Sequence, residues 1–415
     1  MNTKLQQPAH STDILIIGGG MVGASLALAL RSTPYSVALV DPRAEQPEVN
    51  ATPPLSGADF TPRVSALSWG TEQWLRTLGV WQGIAPERIG TYDRMQVWDA
   101  EGSGELDFRP EHADLPYLGH IVENAIVENV LWSELRAWSE LHLFSGERVD
   151  TLTRIAASPT RHSSNDHWQV ELASGQQLTA RLVLIADGAR SPTRDQLSFI
   201  TREWEYQQQA IVTTVTHQHP HQTTARQAFH RKGPLAFLPL SLPHVSSIVW
   251  SLDNDEAERF LAHNDSRQAN ALRSGIGGLL GDIELAGPVA SFPLRQRHAV
   301  QYHQPGAALL GDAAHSIHPL AGQGGNLGLK DAAALATALT WAAQQRVDLN
   351  HPLVLRRYAR ARQSDNLIAM AAMEGLKRLF TPSHPLVHWV RNRGLLAFGG
   401  NSTLMRRAVK QATHF

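Results

Sequence analysis

"STDILIIGGGMVGASLALAL", residues 11–30, decides how the rest of the chain is read. Ile14, Leu15, Ile16 and Ile17 form an unbroken apolar run, the pattern of a strand covered on both faces. Gly18, Gly20 and Gly23 follow at G-x-G-x-x-G spacing and open an Ala- and Leu-rich helix. In such a unit Gly18 permits the sharp turn, Gly20 lets the backbone approach a pyrophosphate, and Gly23 lets helix pack on strand. The free N–H groups at the helix start favour phosphate. A second strand, "SVALVD" (36–41), ends in Asp41, 18 residues after Gly23 and at the place of a ribose-binding carboxylate. The segment reads as an adenine-dinucleotide unit. The alternative is a helix-packing glycine cluster with an incidental acid, and the motif does not choose between NAD and FAD.

Around this segment the composition narrows the classes. A chain of 415 residues can bury a large core in two to three domains. Hydrophobic residues are 42% and charged residues 18%, which is globular rather than disordered. A net charge of -1 offers no broad field for nucleic acid, and none is expected as a partner. With no Cys there are no disulfides, thiolate-bound zinc, iron–sulfur clusters or Cys nucleophiles. The N-terminus lacks the pattern of a signal peptide, and no stretch reaches the roughly 20 apolar residues of a membrane span. A cytoplasmic protein is expected.

Three further stretches matter. In "ADFTPRVSALSWGTEQWLRTLGVW" (58–81), Arg63 precedes a helix that Ser68 caps and Gly79 closes. Taken alone, Arg63 reads as a surface residue. "TARLVLIADGARSPTRDQL" (179–197) is a buried strand opening into Asp187-Gly188, an ordinary turn pair in isolation. Residues 203–295 alternate as antiparallel strands do, and "GPLAFLPLSLP" carries Pro where a buried central strand would not want it. Such an apolar sheet suits a greasy substrate as well as a plain core.

The second glycine-rich stretch is "GAALLGDAAHSIHPLAGQGGNLGLKDAAALATAL" (306–339). A strand over Ala307–Leu310 ends in Gly311-Asp312, so Asp312 sits where open α/β sheets bind ligands. Gly322, Gly324 and Gly325 let the backbone pass close to a flat ligand. Asn326 leads into a long helix whose positive end would stabilise negative charge on a reduced isoalloxazine ring. His315 and His318 lie three apart in a loop with no third ligand in pattern, so no metal is assigned.

Together, "GGGMVGASLALAL", "RVSAL", "YLGHIVENAIVENVLW", "LIADGARSPTR", "FPL", "GDAAHSIHPLAGQGGNLGLKDA" and "RRYARARQSDN" resemble the flavoprotein aromatic hydroxylases of the p-hydroxybenzoate-hydroxylase type. Within that group they look most like the ubiquinone-biosynthesis hydroxylases, in order from about Ile14 to about Leu395. The resemblance implies an α/β fold: a Rossmann-like FAD-binding domain interleaved with an antiparallel β-sheet substrate domain, plus C-terminal helices. The expected division is 1–197 for the first FAD-binding part, with a substrate-side excursion near 82–117, then 198–291 for the sheet domain, 292–345 for the second FAD-binding part and 346–415 for the helical region. It implies non-covalent FAD, with reduced nicotinamide (NADPH or NADH) or another donor as co-substrate. Gly18, Gly20 and Gly23 would face the pyrophosphate and Asp41 the adenosine ribose. Arg63 would lie beside the cofactor, Asp312 would bond the ribityl chain, and Gly324, Gly325 and Asn326 would meet the pyrimidine edge. Asp187-Gly188 would serve FAD and the nicotinamide. Where relatives carry Arg or Gln on the helix after "VEN", this chain has Glu128 and Asn129, and no strong contact is assigned to them.

The implied reaction is ring hydroxylation of a polyprenylated phenol or quinol by O2 through a C4a-hydroperoxyflavin. The C5 hydroxylation of 2-polyprenylphenol is favoured over C6 hydroxylation of the demethoxy quinol. No residue is named as general base, so the catalytic assignment stays empty. The rival readings are another FAD enzyme of the same fold, a NAD-binding dehydrogenase, and a non-catalytic subunit of a biosynthetic complex. The tail, 379–415, mixes apolar residues with Arg391, Arg393, Arg406, Arg407 and Lys410. It reads as a core-packing helix or as one docking on a partner or on the inner membrane from the cytoplasmic side. Homo-oligomers fit the same features.

Overall fold

The computed structural model describes residues 10–44, 56–156, 165–316, 324–380, 394 and 399–414. The strand His10–Ile17 lies between Val37–Asp41 and Gln177–Ile185 and is parallel to both. His142–Ser145 extends the parallel sheet on one side and Ala307–Leu309 on the other. Ile14 to Ile16 and Leu182 to Ile185 are fully buried, which explains the unbroken apolar runs. Helices α1 (Met21–Ala29), α2 (Trp69–Thr77) and α3 (Asn124–Ala137) belong to this half. Ser68 caps α2, its hydroxyl accepting from the Thr71 N–H at 3.3 Å, and Gly79 takes φ +79° just past the end.

A second sheet runs, in order, His315–Ser316, Ala290–Ala299, Thr201–His217, Val245–Asp253, Gly233–Pro239, Thr224–His230, Arg94–Asp99 and Glu105–Phe108. All neighbours are antiparallel except Arg94–Asp99, which lies parallel to Thr224–His230. One correction concerns Gly233–Pro239. Its prolines speak against a central strand, yet it lies between two neighbours. Pro234 and Pro239 occupy the second and last positions, where a missing N–H interrupts the ladder least.

The two faces of this sheet differ. Ile211, Leu235, Phe237 and Ile248 pack on Phe260 of α5 (Asn254–Ala262) and on Leu272 of α6 (Asp265–Gly275). On the other face Ala225, Ala236, Leu238 and Val245 meet Phe60, Tyr92 and Ile121, so an apolar layer joins the sheet to the dinucleotide half. A short helix α4 (Pro192–Gln196) follows the Asp187 turn, and the long helices α7 (Gly324–Gln344) and α8 (Pro352–Phe380) come later. At the tail, α9 (Ser402–Thr413) buries Met405, Val409 and Thr413 against the protein, and Val409 joins the layer between the halves. Its apolar side is therefore spent on the core. Arg391 and Arg393 lie outside the described residues.

Candidate functional site

Strand register assembles the site. Ile17 is paired with Val40 on one side and Ile185 on the other, and Ile185 is paired with Leu309. The segments that follow these residues carry Gly18, Asp41, Asp187-Gly188 and Asp312. Four motifs spread over almost 300 residues thus leave one sheet side by side, at the carboxyl ends of parallel strands.

The first turn is fixed by sterics. Gly18 has φ +101°, and a Cβ there would lie 2.4 Å from the Ala186 carbonyl oxygen. A Cβ on Gly23 would lie 1.9 Å from the Gly18 oxygen. A Cβ on Gly20 would find Glu128 Oε1 as its nearest protein atom, 3.9 Å away, so this face of the turn is open. Asp41 is buried. It accepts from the Gly19 N–H at 2.6 Å and from the Arg43 N–H and Nε at 2.9 and 2.8 Å. Arg43 continues to Glu128 at 2.7 Å, and the Trp132 indole donates to the Gly19 carbonyl at 2.8 Å. A ribose at Asp41 would share the carboxylate with Arg43. Glu128, to which the sequence assigns no strong contact, stands at the open side of the turn.

The Asp187 turn has an open side of its own. Among the described residues nothing lies within 4 Å of a Cβ built on Gly188. Asp187 Oδ1 is buried without a partner, and burial raises the carboxyl above its ordinary range, with bonds from Ser191 and Thr193 pulling the other way. Buried Arg194 donates to the Ala189 carbonyl at 3.2 Å and to the Ala313 carbonyl at 3.3 Å, tying this turn to the one after Leu309. The sequence reading gives Arg194 no role, and the structure puts it in the short helix Pro192–Gln196.

Asp312 is solvent-accessible although protein crowds it on most sides. Burial raises its carboxyl, and His315 and Arg63 act against that rise. Arg63 is exposed, with its guanidinium 5.6 Å from the centre of the Phe292 ring, on the strand Ala290–Ala299 of the second sheet.

The second turn reaches the first directly. Built Cβ atoms on Gly311 and Gly328 fall 3.1 and 2.7 Å from Val22 of α1, and one on Gly325 falls 3.8 Å from Met21 and 3.1 Å from Ser65. Among the described residues nothing lies within 4 Å of a Cβ built on Gly324. Asn326 is buried and clamped: its Oδ1 accepts from the Ser68 N–H (3.0 Å) and Thr71 hydroxyl (2.7 Å), and its Nδ2 donates to the Ala66 carbonyl (2.7 Å). Its side chain fixes the start of α7 against the segment Ala66–Thr71. Gly322 and His318 lie outside the described residues.

A buried network missing from the sequence reading holds this turn from behind. Asp331 is fully buried and accepts from the Gly311 N–H (3.1 Å), Arg362 Nε (2.9 Å) and Asn366 Nδ2 (3.0 Å), with His315 Nε2 at 2.5 Å. Burial pushes the Asp331 carboxyl up, but His315, Arg362 and Asn366 together hold it below its ordinary range. Tyr302 stacks on His315 and bonds to Asn366 and His298. The signal was present, since Asp331 lies in "GLKDA" and Arg362 and Asn366 in "RRYARARQSDN". Nothing local pairs them.

The arrangement fits a flavin dinucleotide. It offers two helix starts, open backbone at Gly20, Gly188 and Gly324, and an orphaned buried carboxylate oxygen at Asp187. The family model described as FAD binding domain matches residues 11–363. The chain is 35% identical over 406 residues to the 3-demethoxyubiquinol 3-hydroxylase of Escherichia coli K12, covering 97% of this chain and 98% of that one. It is 33% identical to the ubiquinone hydroxylase UbiL of Rhodospirillum rubrum (96% and 89%) and 30% identical to the human mitochondrial ubiquinone biosynthesis monooxygenase COQ6 (97% and 92%). The crystal structure of p-nitrophenol 4-monooxygenase PnpA from Pseudomonas putida shares the fold at TM-score 0.77 and 18% identity, over 98% of this chain and 99% of that one. With the motif loops converging on one sheet edge and these relatives spanning nearly the whole chain, the protein belongs to the FAD-dependent aromatic hydroxylases of ubiquinone biosynthesis.

Proposed function

We propose that this chain hydroxylates the ring of a polyprenylated quinol or phenol, using O2 and a reduced nicotinamide or another donor. The observation that carries the reading is the alignment of Gly18, Asp187-Gly188 and Asp312 on neighbouring strand ends, facing the start of α7. When bound, FAD supplies the activation of O2 and the transfer of one oxygen atom to the ring. The chain's part is binding, orientation and dryness. The N–H groups at the starts of α1 and α7 hold the cofactor's phosphates and the anionic edge of its ring. Gly20 and Gly188 leave room for its close approach, and Asp187 and Asp312 bond its hydroxyls. Arg63 adds positive charge beside Asp312. The apolar layer around Ala225, Ala236, Leu238 and Tyr92 excludes water from the ring's side, which favours oxygen transfer over loss as hydrogen peroxide.

The sequence reading leans to position C5 of 2-polyprenylphenol. The relative 35% identical to this chain, named for the demethoxy quinol, supports testing that substrate first. Lipid extraction from cells lacking the protein discriminates. Accumulated demethoxyubiquinone assigns the C6 step, and accumulated 2-polyprenylphenol the C5 step. A normal quinone profile contradicts the proposal.

A further inference from the structure

The basic amphipathic tail was the natural candidate for membrane contact, but α9 turns Met405 and Val409 inward and leaves Leu404 as its one large exposed apolar side chain among the described residues. Among the described residues, no helix is long and apolar enough to cross a membrane. The largest exposed apolar side chains lie elsewhere. Ile200 is 72% exposed and Trp204 50%, and both stand at the start of the strand Thr201–His217. At two-residue alternation Ile200, Arg202, Trp204 and Tyr206 share one face. Helix α8 runs beside that face. Gln363 donates to the carbonyl of Val300, whose own N–H bonds the Ile200 carbonyl, and the Tyr206 hydroxyl reaches Glu374 at 3.3 Å. Between these two anchors α8 carries Leu367 and Ile368, 46% and 55% exposed, followed by exposed Ala371 and Ala372. Four large or bulky apolar side chains therefore line one seam of strand and helix, a concentration that scattered surface apolars do not reach.

Charges of both signs lie along this seam, but the ones without an ion partner among the described residues are cationic. Arg202, between Ile200 and Trp204, and Arg360, two helical turns before Ile368, are exposed and make no ion pair among the described residues. The nearby acids are engaged. Glu203 pairs with Arg297 and Glu205 with Arg295, both by way of the strand's opposite face, while Asp365 pairs with Arg362 and Glu374 accepts from Tyr206. Indole, aliphatic side chains and unpaired guanidinium groups together match the boundary of an anionic bilayer: Trp sits at the headgroup level, Ile and Leu dip below it, and Arg reaches phosphate along its apolar stem.

We propose that the seam formed by Ile200, Arg202, Trp204, Arg360, Leu367 and Ile368 docks this protein on an anionic phospholipid surface. The contact is peripheral and salt-sensitive, because two cations and four apolar side chains are far less than a membrane span provides. It does not depend on which quinol is hydroxylated, and vesicle binding is read separately from turnover.

The test is flotation of the full chain, loaded with FAD, with vesicles of phosphatidylcholine alone or with about one third phosphatidylglycerol. Binding to the anionic vesicles is expected, with little to the neutral ones and loss at high salt. The double variant Ile200→Glu/Trp204→Glu should lower the bound fraction about tenfold, and Arg202→Glu/Arg360→Glu should abolish the preference for phosphatidylglycerol. Arg407→Glu on α9, which is not among the seam residues, should leave binding as in the parent. Unchanged binding by either double variant overturns the proposal, as does equal binding to both vesicle types. So does a seam that instead joins two copies, seen as a halved solution mass in Ile200→Glu/Trp204→Glu with vesicle binding intact.

Discussion

At the first glycine turn the close approaches are between backbone atoms: Gly18 against Ala186, and Gly23 against Gly18. At the second, Gly311 and Gly328 admit Val22, but the turn is held in place by a buried carboxylate, Asp331, with partners drawn from 16 to 35 residues away. The first turn is specified mainly by what cannot fit, with Asp41 and Trp132 bonding Gly19 in support, and the second by a larger set of polar groups that must all be satisfied at once. Steric exclusion is local and writes itself as a glycine pattern. A buried polar network is long-range and leaves only unremarkable letters in the sequence.

This contrast can be broken from either side. The largest effect is expected at Asp331. Asp331→Ala leaves the buried Arg362 guanidinium with only the more exposed Asp365 as ion partner among the described residues, and the Gly311 N–H and Asn366 amide without this acceptor, and should cost about 3–5 kcal/mol, read as a lowered denaturation midpoint. A variant as stable as the parent would remove the network from the account. Gly23→Ala comes next, at about 2–3 kcal/mol, because its Cβ cannot coexist with the Gly18 oxygen without moving helix from strand. Undiminished stability would show that the turn has slack the structure does not display.

Acid should weaken the molecule away from the first turn. Burial lowers His298, beside Tyr302 at the second turn, to about 4, and does the same to His217 in the sheet half. Each stays neutral in the fold while the unfolded chain takes up a proton near 6.5. Stability is therefore full above about 6.5 and falls as pH drops toward 4, by about 1.4 kcal/mol per unit per histidine within that window. Thermal melts at pH 7 and pH 5 check the sign, and His298→Gln should flatten the slope. The smallest effect is expected at Glu128. Its carboxylate stands 3.9 Å from the open side of Gly20. Glu128→Gln should tighten FAD binding a few-fold, about 0.5–1 kcal/mol, by removing a like charge from the phosphates' side. Flavin fluorescence titration reads it, and weaker binding would mean that Glu128 acts through Arg43.

Much of the parallel sheet was legible because Ile14–Ile17 and Leu182–Ile185 are buried on both faces, and α2 was legible because Ser68 and Gly79 mark its ends. Gly233–Pro239 misled because a central strand tolerates Pro at its ends, which composition does not reveal. At the site, the glycine positions carry their own geometry. The clamp formed by Asn326 on Ser68, Thr71 and Ala66 joins residues some 260 apart, and the bridge from Arg194 to Ala313 spans 119. Neither has a local signature. Asp41 reads as a ribose ligand by position, yet its oxygens are already engaged by Gly19 and Arg43, a competition visible only in three dimensions.

The central claim is that both turns hold one flavin between them. Gly20 and Gly324 test it cleanly, because the described residues leave space for a side chain at each: the nearest of their atoms is 3.9 Å from a Cβ built on Gly20, and none lies within 4 Å of one on Gly324. The measurement is FAD titration of the apoprotein, followed by quenching of flavin fluorescence, for the parent, Gly20→Val and Gly324→Val. The account predicts one FAD per chain in the parent and loss of tight binding in both variants, with apoprotein melting temperatures unchanged. FAD bound by either variant as tightly as by the parent, or a parent chain that binds none, would contradict it.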